Sequence, residues 1–282
     1  MQLLKSSLKS NRIATLAVIL LAMAYVVPEF IGSIQNPLSA SGGSSDKSVA
    51  KITARHGQFD LASLDAALSE VSFRLDDVRD GGPVPRFYVD RIPVDILEVN
   101  DVEKRKKTFI KLVLPQILSI NENIEVQRER LTGLLEKKSA GAPLKANDRK
   151  WLQELASRYR EESVEPAALL EKVDKIPVSI ALAQAVEESG WGTSRFAREG
   201  NALFGHNLNV HPAYEEFREA RASNRSGPDT RASDLRLVDT LDVYSEKGQE
   251  YVDNLRNLIK TNRFQDFEDA ILSPERLADN RP

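Results

Sequence analysis

Two adjacent carboxylates, Glu187 and Glu188, end an otherwise apolar stretch, Ile176-Pro-Val-Ser-Ile-Ala-Leu-Ala-Gln-Ala-Val-Glu-Glu-Ser-Gly-Trp-Gly192. Pro177 suits the first turn of a helix, where a missing N–H has no partner to lose. Gly190 suits the left-handed residue that stops one. Ile180, Leu182, Ala183 and Val186 leave little polar surface between them, so the pattern predicts a mostly buried helix that ends on acid. A helix C-terminus carries negative partial charge, and apolar neighbours disfavour ionisation. Both influences raise a carboxyl pKa. A carboxyl that keeps its proton near neutral pH is what a general acid needs. The plain alternative is a pair of solvated residues at a helix end. The two side chains stand about 100° apart around the helix, so one cleft cannot receive both equally.

The elements that must hold this stretch read as helices. Residues 59–78 carry Leu61, Leu64, Ala67, Leu68, Val71, Phe73 and Leu75 at a roughly helical period. Gly81-Gly-Pro-Val-Pro85 breaks the pattern, and residues 84–96 form an extended strap. Helical patterns follow over residues 102–114, 116–138 and 148–160, with Pro115 kinking or dividing the first two. Asn147 is the expected N-cap of the third, whose buried stripe is Trp151, Leu152 and Leu155. Pro166 opens a helix over 167–173. His211-Pro212 opens another through Arg221, and 224–230 is a polar loop. Segments 235–244 and 245–261 close the set, the last with Tyr251, Val252, Leu255, Leu258 and Ile259 as its apolar face.

Composition narrows the function classes. The chain has 282 residues, 41% hydrophobic and 29% charged, which suits one globular domain with appendages. Its 39 basic and 42 acidic residues give a net charge of −3, so electrostatics make no case for nucleic acid. The absence of cysteine excludes disulfides and thiolate metal sites. His56, His206 and His211 are dispersed, and no metal site or organic cofactor is expected. At the N-terminus, Lys5, Lys9 and Arg12 precede a nearly apolar run over residues 13–34, about the length that crosses a bilayer. Positive charges before the span predict a cytoplasmic N-terminus with the rest exported. Ala22-Met-Ala24 has the form of a signal cleavage site, so a cleaved leader is the rival to an anchor. Residues 36–48, rich in Ser and Gly, read as a flexible tether.

A second word, Asn201-Ala-Leu-Phe-Gly205, follows the first closely. Leu182-Ala-Gln-Ala-Val-Glu-Glu-Ser-Gly-Trp-Gly192 with this second word resembles the signature of bacterial glucosaminidase domains. These are the family-73 glycoside hydrolases, lysozyme-like enzymes that cut the glycan strands of peptidoglycan. The family's general acid, the glutamate before the serine, matches Glu188, while Glu187 falls where the motif fixes nothing. Upstream, Val84-Pro-Arg-Phe-Tyr88, Glu103-Lys-Arg-Lys106, Leu114-Pro-Gln-Ile-Leu118 and Trp151-Leu-Gln-Glu-Leu155 resemble the Bax-type subset of that family. Downstream, Asn207-Leu-Asn-Val-His-Pro-Ala-Tyr-Glu-Glu-Phe-Arg218 and Tyr244-Ser-Glu-Lys-Gly-Gln-Glu-Tyr-Val252 do the same. The likeness covers roughly residues 83–272.

The resemblance implies a lysozyme-like helical domain. With the helical patterns and the apolar N-terminal run, the expectation is a mainly α fold with a reduced or absent β lobe, preceded by helices and an N-terminal membrane span. The expected organisation is an anchor or signal over 1–35, a tether over 36–58, a helical region over 59–165 and a catalytic domain over 166–282. The implied reaction is hydrolysis of β-1,4 glycosidic bonds beside N-acetylglucosamine in peptidoglycan, with Glu188 protonating the leaving oxygen. Trp191 packs beneath the turn or against a sugar face. Asn201, Leu203 and Phe204 shape the cleft floor. Tyr214 and Tyr244 stand as cleft aromatics or as core. The resemblance implies glycan strands as partner, and the apolar run over residues 13–34 adds the inner membrane, with the C-terminal domain periplasmic. A cleaved leader instead gives an exported soluble form.

One departure bears on activity. In the family a β-rich segment follows Leu-Phe-Gly and in many members supplies a second acid. Here Leu203-Phe-Gly205 runs directly into His206-Asn-Leu-Asn-Val-His-Pro212, so that segment is expected to be missing. Glycosidases normally use two carboxylates, although assistance by a substrate N-acetyl group is a known exception. Glu199, Glu215 and Glu216 lie nearby and read as surface residues. The rival function is a peptidoglycan-binding or wall-assembly module that has lost catalysis.

Overall fold

The computed structural model describes residues 50–52, 59–89, 91–195, 197, 215–224, 235–243, 245 and 247–274. The expected membrane span over 13–34 and most of the tether lie outside them. Among the described residues, no helix is long and apolar enough to cross a membrane.

The described chain is mainly helical. Helices α1 (Leu61–Glu70) and α2 (Leu75–Arg79) lead into the strap, then come α3 (Val102–Ser139), α4 (Ala146–Arg158) and α5 (Pro166–Lys172). The acid-ending helix is α6 (Val178–Ser189), followed by α7 (Glu215–Asn224) and α8 (Gln249–Thr261). Short 3-10 turns at Ile96–Glu98, Val238–Leu241 and Phe264–Phe267 complete the set. Strands β1 (Ala50–Ile52) and β2 (Phe87–Val89) pair in parallel, Ala50 opposite Phe87. The segment expected as tether therefore contributes one short strand to the strap.

Several local expectations need correction. Residues 59–78 form two helices, because Ser72 adopts a left-handed φ of 51°. The Phe73 N–H then bonds the Leu68 carbonyl at 3.1 Å, and the Ser72 N–H bonds Ser69, a helix stop in which both side chains of the outer pair are buried. Pro115 does not divide the next helix, since α3 is continuous over 38 residues. The proline removes one backbone donor. Gln116 Nε2 donates to the Leu112 carbonyl at 3.0 Å, adding a side-chain bond at that turn. Helix α4 begins at Ala146 with Lys145 at the N-cap position, so Asn147 sits inside the first turn. Over 235–244, residues 235–241 are helical, the last four as a 3-10 turn, and α8 starts only after Gly248.

Two apolar clusters organise the packing. The larger joins α1, α2, the strap, the first half of α3, α6, α8 and the Phe264–Phe267 turn around Phe87, Phe109, Phe264 and Phe267. The smaller is built from the far half of α3 with α4 and α5, around Leu131, Leu155 and Leu169. The strap closes the larger cluster. The Val84 N–H bonds the Ile271 carbonyl and the Ser273 N–H bonds the Val84 carbonyl, each at 2.8 Å. Arg86 locks this join with a forked pair to Glu122 at 2.9 and 3.0 Å and a bond to the Ser273 carbonyl at 2.8 Å.

Candidate active site

Helix α6 is buried from Val178 to Val186, as its apolar sequence requires. Pro177 is its N-cap, one position earlier than expected, and its carbonyl accepts the Ala181 N–H at 3.0 Å. The first free donors of the helix are satisfied from a distance. The Val178 and Ser179 N–H groups donate to the two oxygens of Glu268 at 2.8 and 2.7 Å. Burial is the main cause that raises the Glu268 carboxyl pKa above its ordinary value, against the opposing pull of those donors. Just upstream, the buried Asn121 side chain pairs with both the N–H and the carbonyl of Ile176, at 3.1 and 2.9 Å.

At the other end the two carboxylates part company. Glu187 is half-buried and its Oε1 accepts from Asn254 Nδ2 of α8 at 3.5 Å. Glu188 is exposed. The apolar enclosure expected around it is therefore not formed by the described residues. The helix stops at Gly190, whose φ and ψ of 57° and 47° are left-handed, as expected. Trp191 and Gly192 continue with φ of 61° and 79°, so three consecutive residues have positive φ. Ser189 is fully buried and ties helix to turn: its hydroxyl donates to the Ala185 carbonyl and accepts the Gly192 N–H at 3.0 Å. The Ser194 N–H returns to the Ser189 carbonyl at 2.8 Å.

These contacts give each letter of Glu-Ser-Gly-Trp-Gly a physical role. The serine is small enough to be buried and polar enough to bridge. The first glycine reverses the backbone without steric cost. The second lies flat on the core: a Cβ at Gly192 would meet Ile92 Cδ1 at 3.1 Å and Phe109 Cδ2 at 3.2 Å. Trp191 is half-buried, edge-on to Phe109 at 5.8 Å and tilted against Phe264 at 6.2 Å, with Lys106 Nζ over its ring at 5.5 Å. Of its two expected roles, packing beneath the turn is the one these contacts describe. Asn201, Phe204, Tyr214 and Tyr244 lie outside the described residues, as do Leu203, Glu199 and the side chains of Glu215 and Glu216.

The structure adds residues that the motif did not announce. Glu268 and Asn121 fix the start of α6, while Ile92, Lys106 and Phe109 brace its end. None carries a local signal, because each meets α6 from at least 55 positions away in sequence.

A family model described as mannosyl-glycoprotein endo-beta-N-acetylglucosaminidase matches residues 164–279. Protein bax of Escherichia coli (strain K12) is 32% identical over 197 residues, covering 56% of this chain and 70% of that protein. No solved structure matches. An exposed glutamate at the end of a buried helix, on a serine-bridged, left-handed turn within the matched segment, agrees with both comparisons: the chain belongs to the Bax-type glucosaminidase-domain family.

Proposed function

We propose that this chain hydrolyses β-1,4 glycosidic bonds beside N-acetylglucosamine in peptidoglycan, with Glu188 as the general acid. Family membership supports a glycosidase of the cell wall in the broad sense. The observation that carries the finer reading is the position of Glu188, exposed at the end of a helix whose other residues up to Val186 are buried. The helix is braced at both ends, so this carboxylate has a defined direction toward solvent. A bound glycan strand covers it, displaces water and supplies an enclosure that the described residues do not form. In this reading the α6 region is the core of a lysozyme-like domain with a reduced β lobe.

A second reading has its own support. Leu203-Phe-Gly205 runs directly into His206-Asn-Leu-Asn-Val-His-Pro212, without the segment that in many relatives carries the partner acid. A binding or assembly module would keep the helices and the turn without that segment. Digestion of purified sacculi, with mass spectrometry of the released fragments, separates the two. Products ending in reducing N-acetylglucosamine support the enzyme. Retention on sacculi without release supports the module.

The proposed location is the inner membrane, anchored through residues 13–34 with the remainder periplasmic. Fractionation with N-terminal sequencing tests it. A mature soluble protein beginning at Tyr25 would exclude the anchor and leave the export intact.

A further inference from the structure

We propose that Lys106, with Phe109 and Ile92, is a positioning residue for the catalytic turn, so that the helical region ahead of residue 164 forms half of the active unit. This rests on Glu188 being the acid and adds where its orientation comes from. The family match begins at residue 164, yet the turn that follows Glu188 is braced by residues 92, 106 and 109.

Trp191 holds a left-handed backbone that a tryptophan rarely adopts. Such conformations persist only where the surroundings over-determine them. Here the surroundings are specific. Phe109, fully buried, presents its ring to the indole edge, and Phe264 closes another side. The Lys106 ammonium sits over the indole ring, and its other contact is Glu103 Oε1 at 3.1 Å. Gly192, one residue on, lies so close to Ile92 and Phe109 that a Cβ there would come within 3.1 and 3.2 Å of them. Ser189 couples this arrangement to the helix end, because its hydroxyl receives the Gly192 N–H. A rotation of the indole is therefore transmitted through Gly192 and Ser189 to the last turn of α6, which carries Glu188. A cation beside a helix C-terminus is also favourably placed against its negative partial charge.

Lys106→Met keeps the aliphatic stem and removes the charge, while Lys106→Arg restores a cation. The full chain, labelled with 5-fluorotryptophan, gives one fluorine signal for each of its two tryptophans. Trp151→Phe assigns them. Lys106→Met is expected to move the Trp191 signal and leave that of Trp151 in place. It is also expected to lower kcat on sacculi about twofold to fivefold with KM unchanged, the size of one cation–π contact. Lys106→Arg is expected to restore both. The proposal is overturned if the Trp191 signal stays, if it moves while kcat does not, or if Met and Arg variants fall equally with a lowered melting midpoint. If the unaltered chain releases no sugar, the catalytic reading fails on its own. The fluorine shift then still decides whether Lys106 orients Trp191.

Discussion

The two ends of α6 are held by different physics. Its start is fixed by long-range hydrogen bonds as well as by burial: Glu268 receives the Val178 and Ser179 donors, and Asn121 brackets Ile176. Its end is fixed by packing from behind, with Trp191 against Phe109 and Phe264 and Gly192 flat on Ile92. The first arrangement pairs the backbone groups of Ile176, Val178 and Ser179 with the side chains of Asn121 and Glu268. The second immobilises the backbone while keeping the outer side chain exposed. The difference shows how a buried helix can present one carboxylate to solvent in a defined direction.

Breaking the packed end is expected to have the largest effect on stability. Phe109 is fully buried at the centre of the larger cluster. Phe109→Ala is expected to cost about 3–5 kcal/mol, read as a lowered urea midpoint. A loss below about 1 kcal/mol would mean that the turn is braced elsewhere.

Loosening the hydrogen-bonded end is expected to cost less. Asn121→Ala leaves the Ile176 N–H and carbonyl without their partner and is expected to cost about 1–3 kcal/mol in the same titration. An unchanged midpoint would show that water replaces the amide there.

The smallest effect is a slope. Glu268 has a raised carboxyl pKa in the folded chain, so the folded state holds its proton to higher pH than the unfolded state does. Its contribution is fully present below the ordinary glutamate value of about 4.3 and is lost as pH rises through the folded value. Glu268→Gln is expected to remove that component from the dependence of melting temperature on pH. Parallel curves for the two proteins would contradict it.

Much of the machinery around the acid was legible because its cues are local. The apolar run of α6, the left-handed stop at Gly190, the helix opened by Pro166 and the stripe of Leu152 and Leu155 all follow from short-range patterns. The failures share one cause. Ser72 breaks a helix in a stretch whose apolar spacing is helical, because pairing Phe73 with Leu68 buries both and no glycine or proline advertises it. Pro115 reads as a break but stays within α3, where Leu114, Pro115 and Ile117 are buried in the tertiary core. Glu268, Lys106 and Phe109 were invisible as partners of α6 because nothing local encodes a contact across 80 or so residues.

The most direct test compares the unaltered chain, Glu187→Gln and Glu188→Gln on the same purified sacculi, by mass spectrometry of the released products. Glu187 is half-buried against Asn254 and Glu188 is exposed, so the two variants are expected to differ sharply. The unaltered chain and Glu187→Gln should release fragments ending in reducing N-acetylglucosamine at similar rates. Glu188→Gln should fall about 100-fold to 10,000-fold, the usual contribution of a general acid. Activity that survives in Glu188→Gln and vanishes in Glu187→Gln would contradict the assignment, and no release by any of the three would leave the binding module as the function.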